Sequence, residues 1–199
     1  KANHDWLRGR EGSFERAVNA IKLLAAEPDM VYDVVTCVNQ RNFGELEQIR
    51  DFLIDLGVKR WRLFMIDPIG RAAKNPELML DDEKFRAVFD FILRTRAEGR
   101  IKSSTGCDGF LGDYEGLVRD GVFFCRAGIH VGSVLANGDI CACPNINRGF
   151  VQGNIYKDDF LDVWDNRFKE FRDRKSFKTG SCKNCDLWKW CRGDGMHLH

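Results

Sequence analysis

Cysteine placement constrains this chain more than any other feature in it. Eight cysteines occur among 199 residues: Cys37, Cys107, Cys125, Cys141, Cys143, Cys182, Cys185 and Cys191, so that seven lie beyond residue 100. Three of them form Cys182-x2-Cys185-x5-Cys191, and Cys125 stands upstream of the Cys141 and Cys143 pair. Two residues between sulfurs let one tight turn aim both thiolates at a single metal or at one face of a cluster. A disulfide scaffold usually places cysteine more densely in a shorter, secreted chain. The long amphipathic stretches here need no such staples. The pattern therefore predicts ligation by reduced thiolates, and with it a cytoplasmic setting.

Charge and composition narrow the classes further. The formal net charge is +1, so no global field directs the protein to nucleic acid or to a membrane surface. No run of about 20 apolar residues suggests a transmembrane span. The opening residues, Lys1 to Arg10, lack the apolar core of a signal peptide. Charged residues lead straight into a helical stretch, which suggests that the numbering opens inside a longer protein.

The first half alternates helix and strand. Phe14, Ala17, Ile21 and Leu24 recur at helical spacing, predicting a helix from Ser13 to Ala26. Val31 to Val38 suits a buried strand. Leu46, Ile49, Leu53 and Leu56 define a second helix, with Gly57 placed to end it. Lys59 to Ile66 is a second strand, with Trp61, Leu63 and Met65 on one face. Asp81 caps a third helix that runs to about Glu98 with an apolar stripe of Phe85, Val88, Phe89, Ile92 and Leu93, and Ile101 to Thr105 is one more short strand. This order implies parallel strands joined by right-handed crossovers. There are too few strands to close a barrel, which takes about 250 residues for eight strands. A small, complete α/β sandwich is the alternative.

Character changes near Gly106, where a glycine-rich, irregular stretch begins. Asn137-Gly138 between two alternating segments, Ile129 to Ala136 and Asp139 to Cys143, predicts a β-hairpin. Two amphipathic pieces follow, near Asp158 to Trp164 and Asn166 to Arg174, and then a loop-like tail with three cysteines. The hairpin would carry Cys143 on a strand, with Cys125 just before it. Folding the tail back would then complete a four-thiolate cage. Cys141 shares a face with Cys143 and is either a fifth candidate ligand or a small buried hydrophobe. Cys37, in an apolar strand, reads as structural, and spacing leaves Cys107 unassigned. Four thiolates hold either zinc or an iron–sulfur cluster, and spacing alone does not choose. Zinc would make this a structural or interaction module without redox chemistry.

Cys125-x12-Gly138-x4-Cys143 followed by Cys182-x2-Cys185-x5-Cys191 resembles the SPASM domain of radical S-adenosylmethionine (SAM) enzymes. The run from Gly153-Asn154-Ile155 through Phe160, Trp164, Phe168 and Arg172 is similar to that family's intervening helical region. Upstream, His4-Asp5-x2-Arg8-Gly9, Gly12-Ser13-Phe14, Thr36-x-Val38-Asn39-x2-Asn42 and Pro68-x-Gly70-Arg71-Ala72 resemble the later strands and helices of the family's barrel. The resemblance covers nearly the whole chain. It implies an α/β fold in which residues 1–106 are the C-terminal part of a partial (β/α)6 radical SAM barrel. Residues 107–199 would then be a small SPASM or twitch domain with a β-hairpin and short helices.

The same resemblance implies cofactors and partners. An auxiliary 4Fe-4S cluster would be held by Cys125, Cys143, Cys182 and Cys185, as in the abbreviated twitch variant, with Cys191 a further ligand where a second cluster exists. His197 and His199 are candidates to complete that second set. SAM would bind where the strands end, with Asn39, Met65 and Ile66 as contacts and Arg8 as a carboxylate-binding candidate. Members of the family often modify peptides or proteins, so a peptide or protein substrate is expected, with an electron-donor protein as partner. Two departures stand out. The family's catalytic C-x3-C-x2-C triplet is missing from these residues and is expected upstream of Lys1, so this stretch alone should not cleave SAM. Gly195 also occupies the position of the cysteine that follows Cys191 by three residues in the family pattern. No residue is assigned a catalytic role.

Overall fold

The computed structural model describes residues 1–70, 72–107 and 109–198. Arg71, within one of the barrel-like motifs, and His199 lie outside the described residues. The chain divides into two compact units. Unit 1 is Lys1–Asp108 with Tyr114–Gly121, and unit 2 is Gly109–Asp113 with Val122–His199. The polypeptide thus passes from one unit to the other three times.

Unit 1 contains α1 (Ala2–Arg8), α2 (Ser13–Ala25), β1 (Val34–Val38), α3 (Leu46–Asp55), β2 (Arg60–Met65), α4 (Asp82–Glu98) and β3 (Lys102–Thr105). Its three strands pair in parallel in the order β1-β2-β3. With α3 between β1 and β2, and α4 between β2 and β3, these are two consecutive βαβ steps. The sheet is open, and its fold class is the mixed α/β arrangement expected from the alternating pattern.

Periodicity decides which sheet face is buried. Trp61 and Leu63 of β2, Val38 of β1 and Ser103 and Thr105 of β3 lie on the covered face. The Trp61 ring meets Phe91 of α4 edge-on at 5.8 Å, and its Nε1–H donates to Thr36 Oγ1 at 2.9 Å. The opposite face carries Val35, Cys37, Arg60 and Lys102, all exposed, and an Arg62–Asp33 ion pair at 2.6 Å. The valine-rich run was expected to be a buried strand throughout. Instead it pairs only from Val34 onward, Val31 is 77% exposed, and Cys37 is not a core residue. One-sided covering of β1 is the physical reason: alternate residues face away from the covered side of the sheet.

Caps set the helix ends. Asp81 accepts the Lys84 N–H at 2.8 Å and starts α4, and Gly99 ends it in the left-handed conformation that a side chain would resist. The start of α2 is held from further away. Asp5 of α1 accepts the Ser13 hydroxyl at 2.7 Å and the backbone N–H groups of Phe14 at 2.7 Å and Gly12 at 3.1 Å. The Ser13 hydroxyl and these N–H groups keep the Asp5 carboxyl well below the usual carboxylate range.

Unit 2 is built from shorter pieces: β4 (Ser133–Val134), β5 (Asp139–Cys141), β6 (Gly153–Asn154), α5 (Phe160–Arg167), α6 (Lys169–Arg172) and α7 (Trp188–Cys191). The strands form an antiparallel sheet in the order β4-β5-β6. The predicted hairpin is β4–β5, with Gly138 at φ 85° in its turn and Asn137 donating to Asp139 at 2.6 Å. Phe168, Phe171, Ile140, Val163 and Met196 are fully buried together, and Cys125 lies in the same core. Gly128, also at positive φ, lies so close to Phe171 that a Cβ there would overlap the ring. Among the described residues no helix is long and apolar enough to cross a membrane.

Candidate metal centre

The cysteines of unit 2 are positioned by three segments. Cys125 is buried and precedes the hairpin; Cys141 ends β5; Cys143 follows it and packs against the core. Ile140 and Ala142 point into that core, which leaves Cys141 on the other side of the strand. Burial pushes the Cys141 thiol up, while Arg148 acts in the opposite direction. In the tail, a 3-10 turn at Gly180–Cys182 leads into a further turn in which Cys185 N–H donates to Cys182 O at 3.3 Å, and α7 then delivers Cys191.

Past Cys191 the backbone is left-handed for three residues: Arg192 at φ 50°, Gly193 at φ 84° and Asp194 at φ 71°. Two of these carry side chains, a conformation that persists only where surrounding contacts impose it. Those contacts are present. The Asp194 carboxylate accepts N–H groups from Phe110 at 2.6 Å and Gly195 at 2.8 Å, and a Cβ on Gly109 would collide with it. The outcome of this turn is chemical. The Asp194 N–H donates to Cys191 O at 3.1 Å; burial and the Asp194 charge push the Cys191 thiol up, while the backbone N–H groups of Asp194 and Gly193 act in the opposite direction. Cys182 lies within electrostatic range of the same sulfur.

Arg174 connects the cysteine-bearing segments. Its side chain is only 4% exposed. It donates to Cys125 O at 2.7 Å, Phe171 O at 3.0 Å and Asp194 O at 3.3 Å. Every one of these acceptors is a neutral carbonyl. Among the described residues no carboxylate pairs with this guanidinium, and burying a cation without an anion is costly. A thiolate-bound iron–sulfur cluster carries net negative charge, and N–H groups aimed at sulfur are a usual part of its surroundings. On both counts the residues present fit such a group.

Cys182 is within electrostatic range of Cys191, and Cys143 of Cys141. Among the described residues the structure does not gather three His, Cys, Asp or Glu side chains as ligands of one metal ion. Cys107 is exposed. The His197 ring lies where a side chain on Gly195 would project. Trp190 is 55% exposed, and Trp188 packs on Gly193 beneath Lys178, so neither is plain core. Sequence reasoning missed both Arg174 and Asp194. The only local signal was the Gly193-Asp194-Gly195 run, which marks unusual backbone without saying what it serves.

The SAM-contact candidates all fall in unit 1. Asn39 is buried at the end of β1, where its side chain receives Arg41 N–H at 3.0 Å and donates to Cys37 O at 3.3 Å. Its amide therefore shapes the loop at the strand end. Met65 and Ile66 line a cavity of ≈ 240 Å³ at the end of β2, together with Asp67, Pro68, Met79 and Phe85. Arg8 ends α1 within electrostatic range of Cys37.

Comparison with known proteins agrees with this picture. Residues 125–186 match the SPASM family, described as an iron–sulfur cluster-binding domain. The mycofactocin maturase MftC of Mycobacterium ulcerans is 32% identical over 97% of this chain and 52% of its own length. The AdoMet-dependent heme synthase of Methanosarcina barkeri is 24% identical over 96% of this chain and 58% of its own. The solved structure of native anSMEcpe with bound AdoMet and Kp18Cys peptide shares the fold, with a TM-score of 0.57 at 17% identity over 92% of this chain and 51% of that one. The chain thus spans a little over half the length of the curated relatives it matches. Residues 125–186 thus match the SPASM iron–sulfur cluster-binding family, in a chain that is similar along nearly all its length to an AdoMet-dependent heme synthase and a mycofactocin maturase.

Proposed function

We propose that this chain is the downstream part of a radical SAM oxidoreductase or maturase. In this reading residues 1–106 complete the SAM-binding barrel, and residues 107–199 hold at least one auxiliary 4Fe-4S cluster beside a peptide or protein substrate. One observation carries it: the SPASM match opens on Cys125 and ends one residue past Cys185, so it brackets four of the five proposed ligands. Cys125, Cys143, Cys182 and Cys185 are the first ligand set, with Cys191 serving a second. The family resemblance implies an electron-donor protein as partner, and reduced thiolates imply a cytoplasmic setting.

When bound, the cluster supplies a one-electron acceptor or an iron site for substrate anchoring. The chain's own residues prepare that place. The Gly193 and Asp194 N–H groups stabilise the Cys191 thiolate, and the aromatic core around Phe168 and Phe171 excludes water from the Cys125 side. In the barrel part, Asn39, Met65 and Ile66 are the SAM contacts, the last two lining a cavity at the end of β2, and the Arg8 guanidinium suits the methionine carboxylate. The peptide substrate is supported by the bound peptide in anSMEcpe. The zinc-module alternative is not favoured, because the matching family is described as binding iron–sulfur clusters.

Anaerobic reconstitution with iron and sulfide tests this reading. Broad absorption near about 400 nm, with iron and inorganic sulfide bound in similar amounts, is expected. A colourless protein that takes up stoichiometric zinc and no sulfide would overturn it.

A further inference from the structure

We propose that Arg174 is the internal counter-charge of the cluster and the tether between its ligand-bearing segments, so that it sets the cluster's reduction potential as well as the fold. This rests on the cluster reading above and adds a positioning residue to it. Three observations within unit 2 converge. The guanidinium is buried, and all its hydrogen bonds end on neutral carbonyls, so its charge has no protein anion among the described residues. Two of those carbonyls belong to Cys125 itself and to Asp194, in the left-handed turn that follows Cys191. Two guanidiniums also lie near the Phe124 ring, Arg174 at 5.4 Å and Arg192 at 5.8 Å from its centroid. Cationic groups therefore stand beside Cys125 and immediately after Cys191, where the Asp194 carboxylate also acts on the sulfur.

A packing arginine would be expected to satisfy itself with a carboxylate or to reach solvent. Arg174 does neither. Its bonding leaves the positive charge available to whatever anion the neighbouring thiolates hold. One-electron reduction of a thiolate-ligated cluster, with the electron supplied by a low-potential reductant such as dithionite, adds one negative charge and forms or breaks no bond. A fixed cation in a low-dielectric core favours the more negative state, because the attraction is screened little there. Arg174 thus raises the potential, and its three carbonyl bonds hold the hairpin side and the tail at fixed separation.

The test uses the protein reconstituted anaerobically with iron and sulfide, as wild type, Arg174→Gln and Arg174→Lys. Gln keeps a donor for Cys125 O and loses the charge; Lys keeps the charge and loses most of the bonds. Midpoint potential is read by dithionite titration, and iron loss to a chelator and Tm are read beside it. The expected result is a downward shift of the potential in Arg174→Gln, little shift in Arg174→Lys, a lowered Tm in both, and several-fold faster iron loss in both. A Gln variant that loads iron and keeps the wild-type potential would overturn the counter-charge. Should the Gln variant not fold, the Lys variant decides: an unchanged potential at lowered Tm supports the proposal, and a fall in potential overturns it. A wild-type protein that takes up no iron would sink the cluster reading itself, an outcome separate from these.

Discussion

In unit 1, backbone groups are satisfied by a parallel ladder and by helices of up to 17 residues, while in unit 2 the strands are two or three residues long and arginines do much of the closing. Arg172 shows the second mode plainly. It donates to Gly128 O at 3.1 Å, Asp165 O at 3.1 Å and Trp164 O at 2.5 Å, and it lies over the Trp164 ring at 5.0 Å. Arg174 repeats the device inside the core. Unit 1 therefore draws its stability from regular structure over one apolar face, and unit 2 from a compact aromatic core whose loops are pinned by side chains. The first can stand on its own sequence propensities, whereas the second depends on long-range contacts and, in the function proposed, on its inorganic group.

The largest test of this contrast removes one core aromatic from each unit. Trp61→Ala and Phe171→Ala should each cost about 3–5 kcal/mol, since both side chains are fully buried. Hydrogen exchange resolved by segment should show protection lost mainly in the unit that carries the change, and cluster loading should restore it for Phe171→Ala only. Equal loss in both units from either variant would break the contrast.

Next in size is Gly128→Ala. Its positive φ and the overlap with Phe171 both oppose a methyl group, so a loss of about 1–3 kcal/mol is expected by denaturant titration. An unchanged midpoint would mean that the unit 2 core is looser than its burial implies. Asp81→Ala is a smaller change of the local kind that dominates unit 1: losing the Lys84 N–H cap should cost about 1 kcal/mol, measurable as a lower midpoint with an unaltered slope.

The smallest effect is electrostatic. Hydrogen bonds from Lys102 and Arg96 push the exposed Asp120 carboxyl down to about 2. A folded-state value below the ordinary carboxylate value of about 3.9 makes its contribution whole above about pH 4, and that contribution is lost as pH falls toward 2. Asp120→Asn should flatten this acid limb slightly, and added salt should do the same in the wild type. An acid limb insensitive to both would remove Asp120 from the account.

How much could be read in advance follows the same division. The parallel strands, the Asp81 start and Gly99 stop of α4, and the Asn137-Gly138 hairpin were legible because each is a local rule: period, cap or turn chemistry. The Asp5 cap of α2 was not, because it reaches across from a neighbouring helix. Nor was β6, whose two residues, Gly153 and Asn154, carry no strand propensity and pair through tertiary placement. The amphipathic piece expected from Asn166 to Arg174 is interrupted at Phe168, which turns so that it and Phe171 both enter the core. For the centre, spacing identified the sulfurs but could not show the groups around them. Arg174 is separated from Cys125 by 49 positions, and nothing in a run of charged residues marks it as the buried one.

The threefold passage of the polypeptide between the units has a consequence for how such a protein can be dissected or recombined. No single cut liberates either half intact. A break before Gly109 strands Tyr114–Gly121 with the wrong partner, and a break after Gly121 carries Gly109–Asp113 away from Asp194, the residue that Phe110 engages. Swapping in a foreign cysteine-rich module would need the whole interleaved stretch 109–121 to move as a cassette, which ties the inheritance of the two halves to one another.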